Sequence, residues 1–287
     1  MTPRSLDPPF GAFALTGARE RLRRVAAHMP RNRLGRMAVS LLRRVCTGGR
    51  PGPFDVEVFP GVRARLHPAS NRCEKRALAG PQFFDLGERE ALRAALARRG
   101  DGPFVFIDLG ANVGLYSLWV LAAARAVGRD VTILAVEPDS ETRARLETNL
   151  AASQAPDTVH VAGVAIGARA GRGAIVGHAH NRGEHRVRSA RDGDAETVEI
   201  LPVDAVCARF AITRIDAMKV DLEGHDEAAL AGLFAAAPTS LWPELIIVEA
   251  GKGAETPSVV RLCLDNGYQL DRRTRLNALL TRASRAS

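Results

Sequence analysis

Two clusters in this chain have the residue types and the spacing for chemistry. The first is Asp108-Leu109-Gly110-Ala111-Asn112-Val113-Gly114, which follows the apolar run Phe104 to Ile107 and precedes a helical pattern from Leu115 to about Val127. An apolar run, an acid, a glycine loop and a helix start predict a buried strand turning tightly into a helix. α/β folds use that arrangement to present backbone N–H groups to a small anionic ligand. Gly110 and Gly114 permit backbone torsions and a close approach that a side chain would block. Glu137 lies 23 residues beyond Gly114 and ends a second apolar run, Ile133 to Val136. A carboxylate there is placed to accept hydrogen bonds from ribose hydroxyls. The second cluster is Asp221-Leu222-Glu223-Gly224-His225. It offers two carboxylates and an imidazole, a group that ordinarily titrates near neutrality.

The loop composition narrows the ligand. A dinucleotide site would read G-x-G-x-x-G, whereas Asn112 stands at the place of the middle glycine. No G-x-x-x-x-G-K-[ST] is present, which excludes a triphosphate loop. An acid two residues before the first glycine suits a ligand carrying an ammonium group and no phosphate. S-adenosylmethionine is such a ligand, with cationic sulfonium and amino groups and one carboxylate. Its expected contacts are Asp108, Gly110, Ala111, Asn112, Gly114 and Glu137. Asp108 either orients the loop or reaches the methionine amino group. Asn112 either bonds the ligand carboxylate or caps a helix starting at Val113.

The segment DLGANVGLYS, residues 108–117, resembles the first motif of the FkbM-type S-adenosylmethionine-dependent methyltransferases. Later segments fall in that family's order: Val164-Ala165-Ile166-Gly167, Leu201-Pro202-Val203-Asp204, Met218 to Asp226, and the strand-like Leu245 to Glu249. The resemblance covers roughly residues 80–272. It departs at Asp226, where the family carries glutamate, and in a charged insert near residues 178–196. The resemblance implies O-methylation of an alcohol, with S-adenosylmethionine as cofactor and an active-site role for the motif at 221–225. Asp221, Glu223 and His225 are then the candidates to take the acceptor's proton. A metal reading stands beside this one, with Asp221, Glu223, His225 and Glu249 gathered on a divalent cation.

These residues need elements to position them. From Phe104 onward strand patterns near 104–109, 132–137, 158–162, 216–221 and 245–249 alternate with helical patterns near 114–127, 139–152, 226–236 and 256–266. The expected fold is α/β, a Rossmann-like doubly wound sheet of the class I methyltransferase type. In such a sheet Asp108, Glu137, Asp221 and Glu249 end different strands and meet on one rim. Thr197 to Leu201 reads as an extra strand, and Gly267–Asp271 with Asn277–Thr281 as a closing hairpin. Asp204 reads as the N-cap of a helix, and Trp119 and Trp242 as core. Residues 51–287 are expected to form the methyltransferase domain, with its nucleotide-binding core from about residue 100. Within it, Phe54–Phe59 and Val62–Leu66 alternate as a small β-hairpin. Residues 1–50 read as a basic helical extension and linker, with Pro30 and Asn32 splitting two amphipathic helices.

Composition bounds the function classes. At 46% hydrophobic, the 287 residues can bury a sizeable core. Cys46, Cys73, Cys207 and Cys263 are scattered without a C-x-x-C pair, which suggests reduced thiols in a cytoplasmic protein and gives no zinc site. No apolar run approaches the roughly 18–20 residues that span a bilayer. Residues 1–50 hold eleven arginines against two acids, a net +9, while the whole chain is +8. The basic character therefore belongs to the extension, and residues 17–47 are expected to touch the inner, anionic face of a membrane. The expected acceptor is a hydroxyl of a small molecule, sugar or glycan. Nucleic acid is the less favoured partner: the motif is D-L-E-G rather than an N-P-P-aromatic type, and the extension has no aromatics interleaved with its arginines. The insert Gly177 to Arg186 carries three of the seven histidines and could line or cover the acceptor pocket.

Overall fold

Pro30 and Asn32 divide the arginine-rich segment as expected, giving α1 (Gly17–Ala27) and α2 (Arg33–Thr47) in the computed structural model, which describes residues 8–98, 102–176, 186–189, 197–251 and 255–283. Asn32 starts α2 by accepting the Gly35 N–H at 2.8 Å. The left-handed Gly48 ends it. The inner faces of both helices bury Ala26 and Val39 against α3 (Arg72–Ala79), through Ala79. The expected hairpin forms as β1 (Phe54–Phe59) and β2 (Val62–Leu66). A buried ion pair joins its strands, Arg65 Nε donating to Asp55 Oδ1 at 2.8 Å. Asp55 Oδ2 also accepts the N–H groups of Gly11 and Phe13, which ties the N-terminal segment to the body of the protein. α4 (Leu86–Ala97) then leads toward the main sheet.

That sheet is built from β3 (Phe104–Leu109), α5 (Leu115–Val127), β4 (Val131–Val136), α6 (Ser140–Ala152) and β5 (Val159–Ala162). A second, four-stranded sheet of β6 (Ala165–Ile166), β7 (Gly171–Val176), β8 (Arg186–Ser189) and β9 (Thr197–Leu201) follows, and of the charged insert only β8 lies among the described residues. Only β9 was legible beforehand. The chain returns to the main sheet through α7 (Val203–Arg209), β10 (Ala217–Val220), α8 (Asp226–Ala236) and β11 (Leu245–Glu249). It closes with α9 (Ser258–Asp265), β12 (Tyr268–Arg273) and β13 (Asn277–Arg282). Asp204 is not the cap of α7. Pro202 holds that position with extended backbone, and Asp204 falls in the first turn.

The seven strands lie in the order β12-β13-β11-β10-β3-β4-β5. β13 runs antiparallel to both its neighbours, whereas β11, β10, β3, β4 and β5 are parallel. Period-two alternation sorts side chains to two cores. Phe104 and Phe106 of β3 pack with α5, α6 and the β1–β2 hairpin, while Val105, Ile107 and Leu109 pack with α7, α8 and α9. The mostly parallel sheet with both faces covered is the class I methyltransferase architecture that the strand and helix alternation predicts. Among the described residues no helix is long and apolar enough to cross a membrane.

Candidate active site

After β3 the chain moves outward to β4 and β5, then jumps back to β10 on the other side of β3. That reversal opens a crevice beyond the carboxyl ends of β3 and β10, where open α/β sheets bind ligands. The two loops leaving these strands are tied together. Asp221 N donates to Leu109 O at 3.0 Å. Gly110 has φ +74°, and a Cβ there would overlap the Asp221 carbonyl oxygen. A Cβ on Gly114, at φ +83°, would overlap the Leu146 side chain of α6. Both glycines thus let the first loop lie against its neighbours in the fold.

The N–H groups of that loop are already used. Gly110 and Ala111 donate to Val136 O at 3.0 and 2.9 Å, Asn112 to Glu137 Oε2 at 2.9 Å, Val113 to Asn112 Oδ1 at 2.9 Å, and Gly114 to Ala111 O at 2.8 Å. A phosphate would find no donors among them, and it would face an acid. This fits a nucleoside ligand without phosphates, and the glycine loop is no anion cradle. Asn112, at φ +52°, does not cap the helix, which begins at Leu115 with Gly114 before it. Its Oδ1 also accepts from Asn71 Nδ2 at 2.8 Å and so pins the loop to the start of α3.

Glu137 takes one backbone N–H on each oxygen, from Asn112 at 2.9 Å and from Asp139 at 3.0 Å. Asp139 in turn caps α6 by accepting the Thr142 N–H at 2.8 Å, which fixes the 137–139 turn. Burial pushes the Glu137 carboxyl up to about 7, against the pull of those two N–H groups. Lone pairs remain on both oxygens for a diol.

Asp108 sits on the even face of β3, beneath α5, and it does not line the cavity. Its Oδ2 accepts from Ser117 N at 3.1 Å and Ser117 Oγ at 2.7 Å, so it holds the first turn of α5. Its register partner on β10 is Lys219, also buried. Burial pushes Asp108 up to about 6, although Ser117 and Lys219 oppose the rise. Burial works against the Lys219 ammonium, but Asp221, Asp226 and Asp108 outweigh it and hold its pKa above the ordinary range. Lys219 Nζ lies 3.2 Å from Asp221 Oδ2 and 5.6 Å from the centre of the Tyr116 ring. The Tyr116 hydroxyl donates to Asp85 Oδ2 at 2.9 Å. A polar layer therefore runs along the cavity floor from Asp85 to Asp221, with Lys219 buried within it.

The cavity itself measures about 620 Å³, within the range of ligand sites, and it brings together Gly110, Ala111, Asn112, Glu137, Asp221, Glu223 and His225. Asp226 shapes the second loop: Oδ1 accepts the Leu222 N–H at 3.1 Å and Oδ2 the Gly224 N–H at 3.3 Å. Glu223 adopts φ +51° within this turn, and His225 precedes the first residue of α8. Asp226, the departure from the family's glutamate, is thus a loop-shaping residue. Among the described residues no group of three His, Cys, Asp or Glu is placed to hold a metal ion. The histidine-bearing part of the insert, 177–185, lies outside the described residues, although Ile175 of β7 reaches the cavity wall.

One wall was not anticipated. α3 and the segment after it contribute Asn71, Arg72, Cys73, Arg76, Phe84 and Asp85. A signal existed in Asn71-Arg72-Cys73-Glu74. Asn71 caps α3 by accepting the N–H groups of Cys73 and Glu74, and an Asn followed three residues later by Glu marks a helix start. Arg275 and Leu276, from the turn between β12 and β13, complete the opposite rim.

The fold and its switch-point crevice are those of the class I methyltransferase architecture. Residues 108–270 match the methyltransferase FkbM domain, and the chain belongs to that family. Among solved structures, the methyltransferase FkbM of Methylobacillus flagellatus KT is similar, at 18% identity and TM-score 0.44, with 91% of this chain covered. This chain spans 58% of that protein's length. The METTL16 MTase domain is similar at 13% identity and TM-score 0.49, over 98% of this chain and 95% of that one. The ribosomal protein L11 methylase of Lactobacillus delbrueckii subsp. bulgaricus is similar at 11% identity and TM-score 0.40, over 68% and 78%. No curated protein sequence matches the chain.

Proposed function

We propose that this protein methylates a hydroxyl group of a small molecule, sugar or glycan, using S-adenosylmethionine. The supporting observation is the joining of two strand ends in one cavity. Glu137 lies at the end suited to a ribose, and Asp221, Glu223 and His225 lie across the switch point. Bound there, S-adenosylmethionine supplies an electrophilic methyl group on a sulfonium. Glu137 accepts hydrogen bonds from the ribose hydroxyls, and the neutralised 110–114 loop packs against the rest of the nucleoside. Asp221, held by Lys219 at 3.2 Å, orients the acceptor hydroxyl and accepts its proton, with His225 lining the same cavity. A positioned base of this kind contributes about 10²–10⁴-fold, and alignment of the reactants supplies the remainder.

Methyl-labelled S-adenosylmethionine, incubated with pools of neutral, acidic and phosphorylated saccharides and polyols, tests this reading. The expected product is a base-stable methyl ether, with Asp221→Asn slowed roughly 10²–10⁴-fold at unchanged cofactor affinity. Label recovered in an amine or ester, or an undiminished Asp221→Asn, would refute it.

A second reading concerns where the protein works. Leu34, Met37, Leu41 and Val45 recur at helical spacing on α2 and are 74, 63, 63 and 52% exposed, with Val25 of α1 exposed as well. Exposed Arg21, Arg24, Arg33 and Arg44 accompany them. We propose that this face rests on an anionic bilayer, which takes both the apolar row and the arginines at about 1 kcal/mol per charge. A second copy would set arginines against arginines. Sedimentation with phosphatidylserine vesicles, lost with phosphatidylcholine alone and with Leu34→Ser/Leu41→Ser, is the expected result. Equal sedimentation with both lipids would overturn it.

A further inference from the structure

A second cavity, of about 410 Å³, adjoins the first and shares Arg76, Asp85, Arg275 and Leu276 with it. Its outer wall comes from α2 through Arg36, Val39, Ser40 and Arg43. None of the 110–114 loop, Glu137 or Pro138 lines it, so it lies outside the part of the crevice suited to a nucleoside. It meets the first cavity, which Asp221 lines, along those four shared residues.

Its charge is one-sided. Four arginines face two acids; both acids accept hydrogen bonds from neutral donors, and Asp85 also lies in the field of Lys219 and Arg76. Asp85 accepts from the Tyr116 hydroxyl, and Glu88 Oε1 accepts from Thr274 Oγ1 and from Asn277 Nδ2 at 2.7 Å. Among the described residues, Arg76 and Arg275 reach no carboxylate within ion-pair distance. Arg43 donates only a long bond, 3.4 Å, to Ser40 Oγ, and Arg36 lies over the Phe83 ring at 5.5 Å. Burial, with Arg44 adding to it, holds the Arg43 guanidinium below its ordinary range. Guanidinium forks that outnumber the acids of a concavity two to one are the complement of an oxyanion, which they bind through paired N–H groups.

We infer that the methyl acceptor carries an oxyanionic group, a phosphate or a carboxylate, seated between Arg76 and Arg275 at the junction of the two cavities, with Arg36 and Arg43 extending the site outward. The inference rests on the proposed methyl transfer, because the junction is where an acceptor bound beside Asp221 would place its far end. It also gives the basic extension a part in substrate selection, since α2 supplies the outer arginines. Neutral sugars would then be poor acceptors, and phosphorylated or acidic ones good.

Calorimetry on the full-length protein tests this, with the nucleoside end filled by S-adenosylhomocysteine. Inorganic pyrophosphate and citrate serve as separate probes. One anion per chain is expected, with the tighter probe telling phosphate from carboxylate. Arg76→Gln/Arg275→Gln should weaken that anion at least tenfold while S-adenosylhomocysteine affinity stays within threefold. Arg36→Gln/Arg43→Gln, at the outer wall, should weaken it by threefold or more and gives the answer if the first pair fails to fold. No saturable binding of either anion would overturn the inference. A loss that falls on S-adenosylhomocysteine and spares the anion would do the same, since the arginines would then serve the cofactor. If the folded protein binds pyrophosphate but neither S-adenosylmethionine nor S-adenosylhomocysteine, the methyltransferase reading fails and the acceptor assignment with it.

Discussion

Replacing Glu137 by glutamine separates the structural from the binding role of this carboxylate. In the free protein its two oxygens accept N–H groups from Asn112 and Asp139 at 2.9 and 3.0 Å. An amide keeps one acceptor oxygen and turns its NH2 toward the other N–H. One nearly buried donor is then left without a partner, a cost of about 1–3 kcal/mol in unfolding free energy. The same change removes an acceptor for a ribose hydroxyl. A hydrogen bond to a charged group is worth about 1.5–3 kcal/mol, or roughly a 10- to 150-fold rise in Kd. Urea unfolding of the free protein reads the first loss. Calorimetric titration with S-adenosylmethionine at pH 8, where the Glu137 carboxyl is ionised, reads the second. Glu137→Ala leaves both N–H groups unpaired and should exceed the glutamine variant in each assay. A folded Glu137→Gln that binds S-adenosylmethionine within about twofold of the parent would show that the ribose does not use this residue.

Three further outcomes follow from the same geometry. Burial raises Glu137 to about 7, and ribose hydroxyls favour its ionised form, so S-adenosylmethionine affinity should fall as pH drops from 8 to 6. The slope should approach tenfold per pH unit below about 7 and vanish in Glu137→Gln; a flat profile in the parent would count against the contact. The free protein has the opposite sign, because a carboxyl raised by folding stabilises it at low pH and loses that contribution as pH rises through 7. Gly110→Ala forces a Cβ into the Asp221 carbonyl at positive φ, which should cost about 2–5 kcal/mol in urea unfolding; a change below about 0.5 kcal/mol would mean the two loops do not touch. Asp55→Asn breaks a buried pair with Arg65 and loosens the Gly11–Phe13 attachment, so a loss of about 3–5 kcal/mol and faster proteolysis before residue 20 are expected. Unchanged protection of that segment would show that Asp55 does not anchor it.

The sequence by itself determined most of the strand and helix plan, because periodic burial leaves its mark locally. Phe104 to Ile107 and Leu245 to Val248 are continuous apolar runs, as strands covered on both faces must be, and α8 begins where Gly224-His225 ends the motif loop. The two strand-end clusters were legible for the same reason, since an acid closing a buried run is conspicuous. β7 and β8 escaped because glycine and arginine make up half of their ten residues, leaving only the short run Ala174-Ile175-Val176 and the lone Val187 as apolar signal. Tertiary structure alone decided what each acid does. The pleat turns Asp108 under α5 to hold Ser117, while the 137–139 turn aims Glu137 into the cavity. Whether a carboxylate faces a helix or a crevice depends on sheet register and on the neighbouring loop, neither of which is encoded within the motif. Only the fold could bring α2, α3 and the β12–β13 turn to one rim. Arg36, Arg76 and Arg275 are far apart in sequence, and their shared chemistry exists only where the chain returns to meet itself.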